Sequence, residues 1–557
     1  MLSGMGLKAD LLLYGQYLNV YTGELLDGPI AILGDRILCI GERVEARETE
    51  RVEGIVIPGL KDGHIHIESS KLPPGEFARL VVPRGTTSVF ADPHEIVNVA
   101  GREGFEFMLE ESRKVPLRVH LMIPSCVPAS PLEESPFQLD ASSVADLLEM
   151  GAGLGEVMNF PGVISGDKDL LRKIEEAKRR KMPVDGHAPL LSGKDLCIYL
   201  FRGIESDHES TRGEEALEKL RKGMYVMLRE GTASKDMKIV RELLGVQKRR
   251  ILLVSDDRSA SDLMREGHVD YLLRRAVEEG LDPVEAVQAA TINVAERFGL
   301  RELDGIAPGK IADLVIVKDL RRFEALRVYI GGRLVASNGR PLFKAQKARR
   351  IGTMKLPPLS PDDLAIKARG RRARVRVIEL TGSLLTEGSE EWLPVEEGLI
   401  RAQGEVQHLA VIERHGRTGH IGRGFVRGFG IGGAIASTVA HDSHNLIVAG
   451  SDLSDMVLAA REIERVGGGQ AVVSGGRLIS ILPLPIGGLM SDLSAEEVVS
   501  LEEELYRAYK SIGGTREDPF MELSFLALSV IPRLKLTPRG LVDVNRQEIV
   551  SPILEVV

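Results

Sequence analysis

The sequence predicts an α/β protein built around a (β/α)8 barrel of the TIM type. A small β-sandwich domain formed from both flanks of the barrel and a C-terminal α/β (α+β) domain complete it. Three observations lead there. Eight short apolar segments alternate with amphipathic helical patterns between residues 56 and 280. β-rich blocks stand on either side of that run, at 8–58 and 310–337. Glycine is abundant, at 59 residues, while aromatics are only 4%, which favours many short loops over a helical bundle.

In chain order, ADLLLYG, GPIAILGDRILCIG and GIVIPG are aliphatic runs bounded by Gly, Asp and Pro, the signature of short strands and turns. The barrel strands expected next are 56–67, 86–92, 118–124, 155–160, 183–188, 204–209, 225–230 and 251–257. Helical patterns fall between them at 104–114, 142–150, 168–181, 213–222 and 235–245, and a longer one covers 261–280. Asp282-Pro283 then opens another helix, with Asp as cap and Pro at the first helical position. A doubly wound open sheet is the competing arrangement, and the count of eight favours the barrel. KIADLVIVKDL and VYIGGRLVAS return to the β-rich pattern. The expected division is therefore 1–57 with 304–350 as the composite β domain, 58–303 as the barrel, 351–374 as a linker and 375–557 as the last domain. The linker holds PPLSP and the basic run KARGRRARVR, read as a solvated charge run. In the last domain, Ser494 and Glu497 form a capping box that opens a long helix.

Composition narrows the function classes. At roughly 150 residues per domain, 557 residues make two to four domains. Hydrophobic residues at 43% and charged residues at 27% are the balance of a soluble globular protein. The net charge of −9 gives no electrostatic footprint for nucleic acid. Cys39, Cys126 and Cys197 are too few for a disulfide framework and fit a reducing compartment. No run of about 18 apolar residues occurs, and the N-terminal segment is a poor signal peptide. These features predict a cytoplasmic protein with no membrane span.

The residues that carry chemistry lie at strand ends. His64 and His66 in GHIHIE are two apart, so in a strand both imidazoles face one side. Glu156, His187, His208 and Asp256 lie at the ends of strands four, five, six and eight. In a (β/α)8 barrel that end is where active sites form. Each residue alone has an ordinary structural reading. Together, four imidazoles and two carboxylates suit divalent ions such as Mn, Fe or Zn, and suffice for two ions.

This order of ligands, with GIVIPGLKDGHIHIESS and GIAPGKIADLVIV around it, resembles the amidohydrolase superfamily. TSVFADPHEI, GLGEVMNFPGV, DGHAP, SDHE, VSDD, STVAHDSHNLIVAG and LPLPIGGLMS narrow the match to the adenine deaminase family, from residue 8 to the end. The resemblance implies hydrolytic deamination of adenine to hypoxanthine and ammonia, a step in purine salvage, by a hydroxide shared between two metals. Mn or Fe is the expected metal, with Zn possible. His64 and His66 would hold one ion, His187 and His208 the other, and Glu156 would bridge them. Asp256 would take the nucleophile's proton and touch the metal. Glu95 is the first candidate to protonate the purine ring and Glu209 the second. Strand alternation turns Glu209 away unless the strand has already ended. Ser125 is a candidate for the pocket wall. His441 and His444 belong to a loop that closes over the purine, to a further metal site, or to a hydrogen-bonded turn. Lys61 stands where the superfamily usually has an aromatic or aliphatic residue, and alternation points it away from the ligands.

Two other readings compete. A cyclic-amide hydrolase of the dihydroorotase or hydantoinase kind is opposed by the C-terminal motifs and the glutamate bridge. A catalytically inactive scaffold is opposed by the complete donor set. A homodimer or higher homo-oligomer is the default expectation.

Overall fold

The structure is a computed structural model that describes residues 8–382 and 385–557. Residues 1–7 of the composite β domain, which begin the segment weighed as a signal peptide, and residues 383–384 of the last domain lie outside the described residues.

Strands β1 (Ala9–Asn19), β2 (Glu24–Leu33), β3 (Arg36–Ile40) and β4 (Ala46–Pro58) precede the barrel. The barrel strands follow: β5 (Leu60–Ile65), β6 (Thr86–Ala91), β7 (Arg118–Ile123), β8 (Gly153–Val157), β9 (Val184–Gly186), β10 (Ser206–Asp207), β11 (Tyr225–Arg229) and β12 (Ile251–Val254). β5 to β9 pair in sequence order as one parallel sheet and β10 to β12 as another. The two meet at Gly186, where a Cβ would stand 2.1 Å from the Ser206 carbonyl oxygen, so only glycine lets the backbones approach. The ring closes between β5 and the residues after β12. Asp256 N–H donates to the His64 carbonyl at 3.0 Å, and His66 N–H donates to the Asp256 carbonyl at 3.3 Å. Asp62 draws the same strands together below that point. Its carboxylate accepts from the Ser255 hydroxyl at 2.5 Å and lies 2.9 Å from His268 Nε2.

The sequence reading ran the first barrel strand from Val56, but Val56, Ile57 and Pro58 belong to β4, in the other sheet. Gly59 separates the two, and a Cβ there would lie 2.2 Å from Thr87 Oγ1. The 235–245 pattern forms a 3-10 helix, Met237–Leu243. The 261–280 pattern splits into Ala260–Arg265 and Val269–Glu278, with Gly267 at φ +109° between them. Asp282 caps Pro283–Ala289 through the Val284 and Glu285 amides.

Both flanks join in one eight-stranded sheet. β13 (Leu314–Val317), β14 (Ala325–Ile330), β15 (Arg333–Ser337) and β16 (Arg340–Pro341) extend it from the edge of β4. The sheet curls, so that Arg36 beside β3 bridges to Ile311 just before β13. Its core is Leu13, Tyr17, Ile30, Val56, Leu314 and Ile316.

The C-terminal part is a ten-stranded sheet. It opens with β17 (Arg372–Leu380), β18 (Thr386–Glu396), β19 (Leu399–Ile400), β20 (Val406–Ile412) and β21 (Ile421–Arg427). It continues with β22 (Ala434–Ser437), β23 (Leu446–Gly450), β24 (Gly469–Ser474) and β25 (Arg477–Pro483), and the tenth strand, Ile553–Val556, pairs with β17. β17 corrects the linker reading. The end of the basic run is strand, with Ala373, Val375 and Val377 buried and Arg374 paired outward to Glu390 at 2.9 Å. The Ser494–Glu497 capping box is present and opens the helix Ala495–Ser511.

One buried cation holds the turns that follow β9 and β10. Lys219 Nζ, fully buried, donates to the Ala188 carbonyl, Asp207 Oδ2, Ser210 Oγ and Glu215 Oε1 at 2.7–3.1 Å. Removing one partner of such a network leaves uncompensated buried charge. Lys219→Met should therefore cost about 3–5 kcal/mol in urea unfolding. A loss below about 1 kcal/mol would show that Asp207 and Glu215 are neutral in the folded protein.

Candidate metal centre at the mouth of the barrel

Four histidines and two carboxylates converge where the barrel strands end. His64 lies inside β5 and His66 one residue past it, so the two-residue period turns both rings inward. His64 Nδ1 is 3.0 Å from Asp185 Oδ2, and His66 Nδ1 is 2.9 Å from the Asp92 carbonyl. A carbonyl can only accept, so His66 carries its proton on Nδ1. Asp185 orders His64 the same way. Both rings therefore turn Nε2 toward the cluster, the arrangement by which outer hydrogen bonds orient metal-ligating histidines.

Glu156, in β8, divides its two oxygens between two pairs of rings. Oε1 is 3.3 Å from His66 Nε2 and 4.0 Å from His64 Nε2. Oε2 is 2.8 Å from His187 Nδ1 and 3.4 Å from His208 Nε2. Asp256 joins the first pair, with Oδ1 at 3.5 Å from His64 Nε2 and 3.4 Å from His66 Nε2. Its backbone is held at φ +53°, a left-handed conformation uncommon for a non-glycine residue and frequent at functional sites. Of the six, only His187 is appreciably exposed. Their donor atoms form three overlapping triads of metal-binding size: His64, His66 and Glu156; Glu156, His187 and His208; His64, His208 and Asp256. His64 Nε2 is a buried atom with no hydrogen-bond partner. An imidazole–carboxylate donor set around such an atom fits divalent ions.

Charge inside the cluster is balanced by proximity. Burial and the His208 ring oppose a proton on His64, but the hydrogen bond to Asp185 and the nearby Asp256 carboxylate outweigh them and push it up to about 9. His66 and His208 rise too, against burial, because Glu156 and Asp256 lie beside them. Burial opposes ionisation of Glu156 and Asp256, yet the surrounding histidines hold both well below the usual carboxylate range. Arg229 Nη1, 3.2 Å from Asp256 Oδ2, adds to this.

The remaining sequence candidates fall as follows. β10 ends at Asp207, so Glu209 is free of strand alternation. It turns toward the site, 3.4 Å from His208 Nε2 and in direct contact with Arg229. Glu95 stands in the first turn of the helix His94–Ser112. Its partner is His441 Nδ1 at 3.0 Å. Burial opposes its ionisation, but His441 keeps it ionised, so Glu95 itself has no proton to give. His441 conversely is pushed up to about 9 by Glu95 against burial. Ser125 is not an open wall residue: its hydroxyl donates to the Glu156 carbonyl at 2.5 Å, beneath the carboxylate. Lys61 is buried, with Nζ on the Gly59 carbonyl at 2.9 Å.

The segment between β22 and β23 is strand–loop–strand, and it brings His441 and Asp442 to the barrel. His444 Nδ1 accepts from the Ala440 amide at 3.1 Å. Its proton therefore sits on Nε2, so neither nitrogen has a lone pair free for a metal. That argues against a further metal site at Glu95, His441 and His444, although their atoms cluster closely. A cavity of about 430 Å³ between barrel loops and C-terminal domain reaches Glu68, Ser69 and His441 from outside.

Sequence reasoning missed Arg229, Asp185 and Glu133. A signal existed for Arg229, a charged residue ending the apolar strand YVMLR. None existed for Glu133, whose partners Ser443 and Ser529 lie more than 300 residues away. His94 stands with Nδ1 3.6 Å from Glu156 Oε1, and burial and the His66 ring push it down to about 3.

The profile of the amidohydrolase family matches residues 55–335, and that of the adenine deaminase C-terminal domain matches residues 383–548. The chain is 47% identical over 540 residues to an adenine deaminase of Nitratidesulfovibrio vulgaris, covering 95% of this chain and 93% of that protein. It is 46% identical to one of Methanothermobacter thermautotrophicus, covering 96% and 98%. Among solved structures, a β-aspartyl dipeptidase of Fervidobacterium islandicum is similar with a TM-score of 0.46 and 18% identity, over 59% of this chain and 98% of that one.

Protons held by His64, His66 and His208 must leave when a cation binds. Apparent affinity for Mn(II) should therefore rise between pH 6 and 8, by up to about tenfold per unit for each proton displaced. Calorimetry in two buffers of different ionisation enthalpy counts those protons. A pH-independent affinity with none released would contradict the raised imidazoles.

Proposed function

This chain belongs to the adenine deaminase family, and we propose that it hydrolyses adenine to hypoxanthine and ammonia at the cluster of His64, His66, Glu156, His187, His208 and Asp256. The observation that carries the assignment of the site is the division of the Glu156 oxygens between two histidine pairs, the geometry of a carboxylate shared by two cations. His64, His66 and Asp256 would hold one ion, His187 and His208 the other, with Mn or Fe preferred and Zn compatible. When bound, such ions lower the pKa of water to about 7 and so supply a nucleophile at neutral pH.

The protein's own groups manage the protons. Water brings two; one ends on the ring nitrogen N1 beside C6 and one on the departing ammonia. Asp256 is kept ionised by its histidine neighbours and by Arg229, so it accepts the first proton and carries it to the amino group. The N1 proton comes from the Glu95–His441 pair, which takes back the second water proton as the C6 hydroxyl becomes the carbonyl and ammonia departs. Glu95 was the first candidate there, but within the pair the proton resides on His441. Glu209, also ionised, holds Arg229 in place.

Ammonia release and loss of adenine absorbance test the reading on Mn-loaded protein. Asp256→Asn should keep most of its metal and lose about 10²–10⁴-fold in turnover. His64→Ala should lose metal and activity together while the fold persists. Turnover of a dihydropyrimidine with none of adenine would overturn the assignment. His441 is protonated below about 9, so kcat should fall as pH rises through that value, and His441→Gln should abolish that limb.

A further inference from the structure

Asp442 carries the least explained polar atom near the metal centre. Its carboxyl is 4% exposed, and Oδ2 has no hydrogen-bond partner. Its other oxygen is no closer than 3.9 Å to His94 Nε2 and 3.8 Å to His441 Nδ1. A buried polar atom left unpaired costs about 1–3 kcal/mol, and such atoms at a functional site are commonly reserved for a ligand.

The carboxyl is held where it stands. The Ser443 hydroxyl on the next residue donates to Glu133, a barrel residue, at 2.6 Å. Ser529 donates to the second Glu133 oxygen at 2.8 Å. Asn445 Nδ2 ties the same loop to the Glu134 carbonyl at 2.8 Å. Asp442 and Glu156 face opposite nitrogens of one imidazole, His94, with Glu156 Oε1 at 3.6 Å from Nδ1. The unpartnered carboxyl therefore stands across the His94 ring from the metal cluster and beside His441, the group assigned to N1, with Oδ1 3.8 Å from its Nδ1.

We propose that Asp442 accepts the imidazole-ring N–H of the purine, N9–H, and so selects the free base over nucleosides and other 9-substituted purines. The proposal rests on adenine deamination at the Glu156 cluster. With C6 at that cluster, the purine's amino group is engaged in the reaction. The only other N–H of adenine is on the five-membered ring, at the far end of the molecule. A nucleoside has a sugar there, which brings bulk and removes the donor. Burial and the neighbouring Glu133 push the Asp442 carboxyl up well above its usual range. A carboxylic acid there accepts from N9–H and donates to the adjacent N3.

Calorimetric binding of hypoxanthine and 9-methylhypoxanthine to the Mn-loaded protein tests this without turnover. Wild type should prefer hypoxanthine by about 10²-fold or more, since a site built to pair an N–H rejects analogues lacking it. Asp442→Ala should reduce that preference at least tenfold while leaving metal content unchanged. Asp442→Asn, which keeps the acceptor oxygen, should retain it within about threefold. Equal binding of the two purines by wild type overturns the proposal without any variant. So does an unchanged preference in Asp442→Ala, or a loss in Asp442→Asn as deep as in Asp442→Ala. Adenine turnover measured in the same wild-type preparation separates the two readings: its absence defeats the deaminase assignment, while its presence with equal binding defeats only the role of Asp442.

Discussion

The Glu156 carboxylate between two pairs of imidazoles is the contact on which the rest of the site depends. A buried carboxylate is costly unless opposite charge or hydrogen-bond donors surround it. Here His66, His187 and His208 do so, and in turn His66 and His208 keep protons only because Glu156 and Asp256 are ionised beside them. Outer groups fix the inner ones. Asp185 and the Asp92 carbonyl orient His64 and His66, the Asp92 side chain takes the Glu156 amide, and Ser125 takes its carbonyl. The cluster is thus balanced internally with protons, and cations can take their place without a change in the sign of the local field.

The barrel alone does not complete this environment. The loop between β22 and β23 places His441 against Glu95 and Asp442 near His94. Glu133 and Glu134, on the loop after β7, grip that segment through Ser443, Ser529 and Asn445. Arg414, fully buried, donates to the His444 and Gly487 carbonyls and to Thr353 in the connecting segment. The C-terminal domain therefore acts as one wall of the site. Its contribution is the histidine that pairs with Glu95 and a buried carboxyl, while the barrel contributes the clustered imidazoles and carboxylates.

Legibility in the sequence followed the range of the interactions. His64, His66, Glu156, His187, His208 and Asp256 were recognisable because each ends an apolar run, and strand alternation and barrel geometry say where such residues point. Where a local rule had a rival, the outcome was less certain. Val56 to Pro58 continue the apolar pattern of the first barrel strand, yet they pair with β13. Arg372 to Arg376 look like a solvated charge run, yet every second residue between them enters a core. Glu209 escaped the alternation rule because β10 ends two residues before it.

By itself the sequence determined the alternation of strands and helices, the six donors at strand ends and the family they resemble, because period and order along the chain are local quantities. Only the tertiary structure decided which charges meet. Glu95 faces a histidine more than 300 residues away, and Asp442 is buried with an oxygen unpaired. Glu133 serves a loop of another domain. Charges interact through space at a few ångströms and are strengthened by the exclusion of water. Neither distance nor dryness is written in residue order, so protonation at this site was settled by packing.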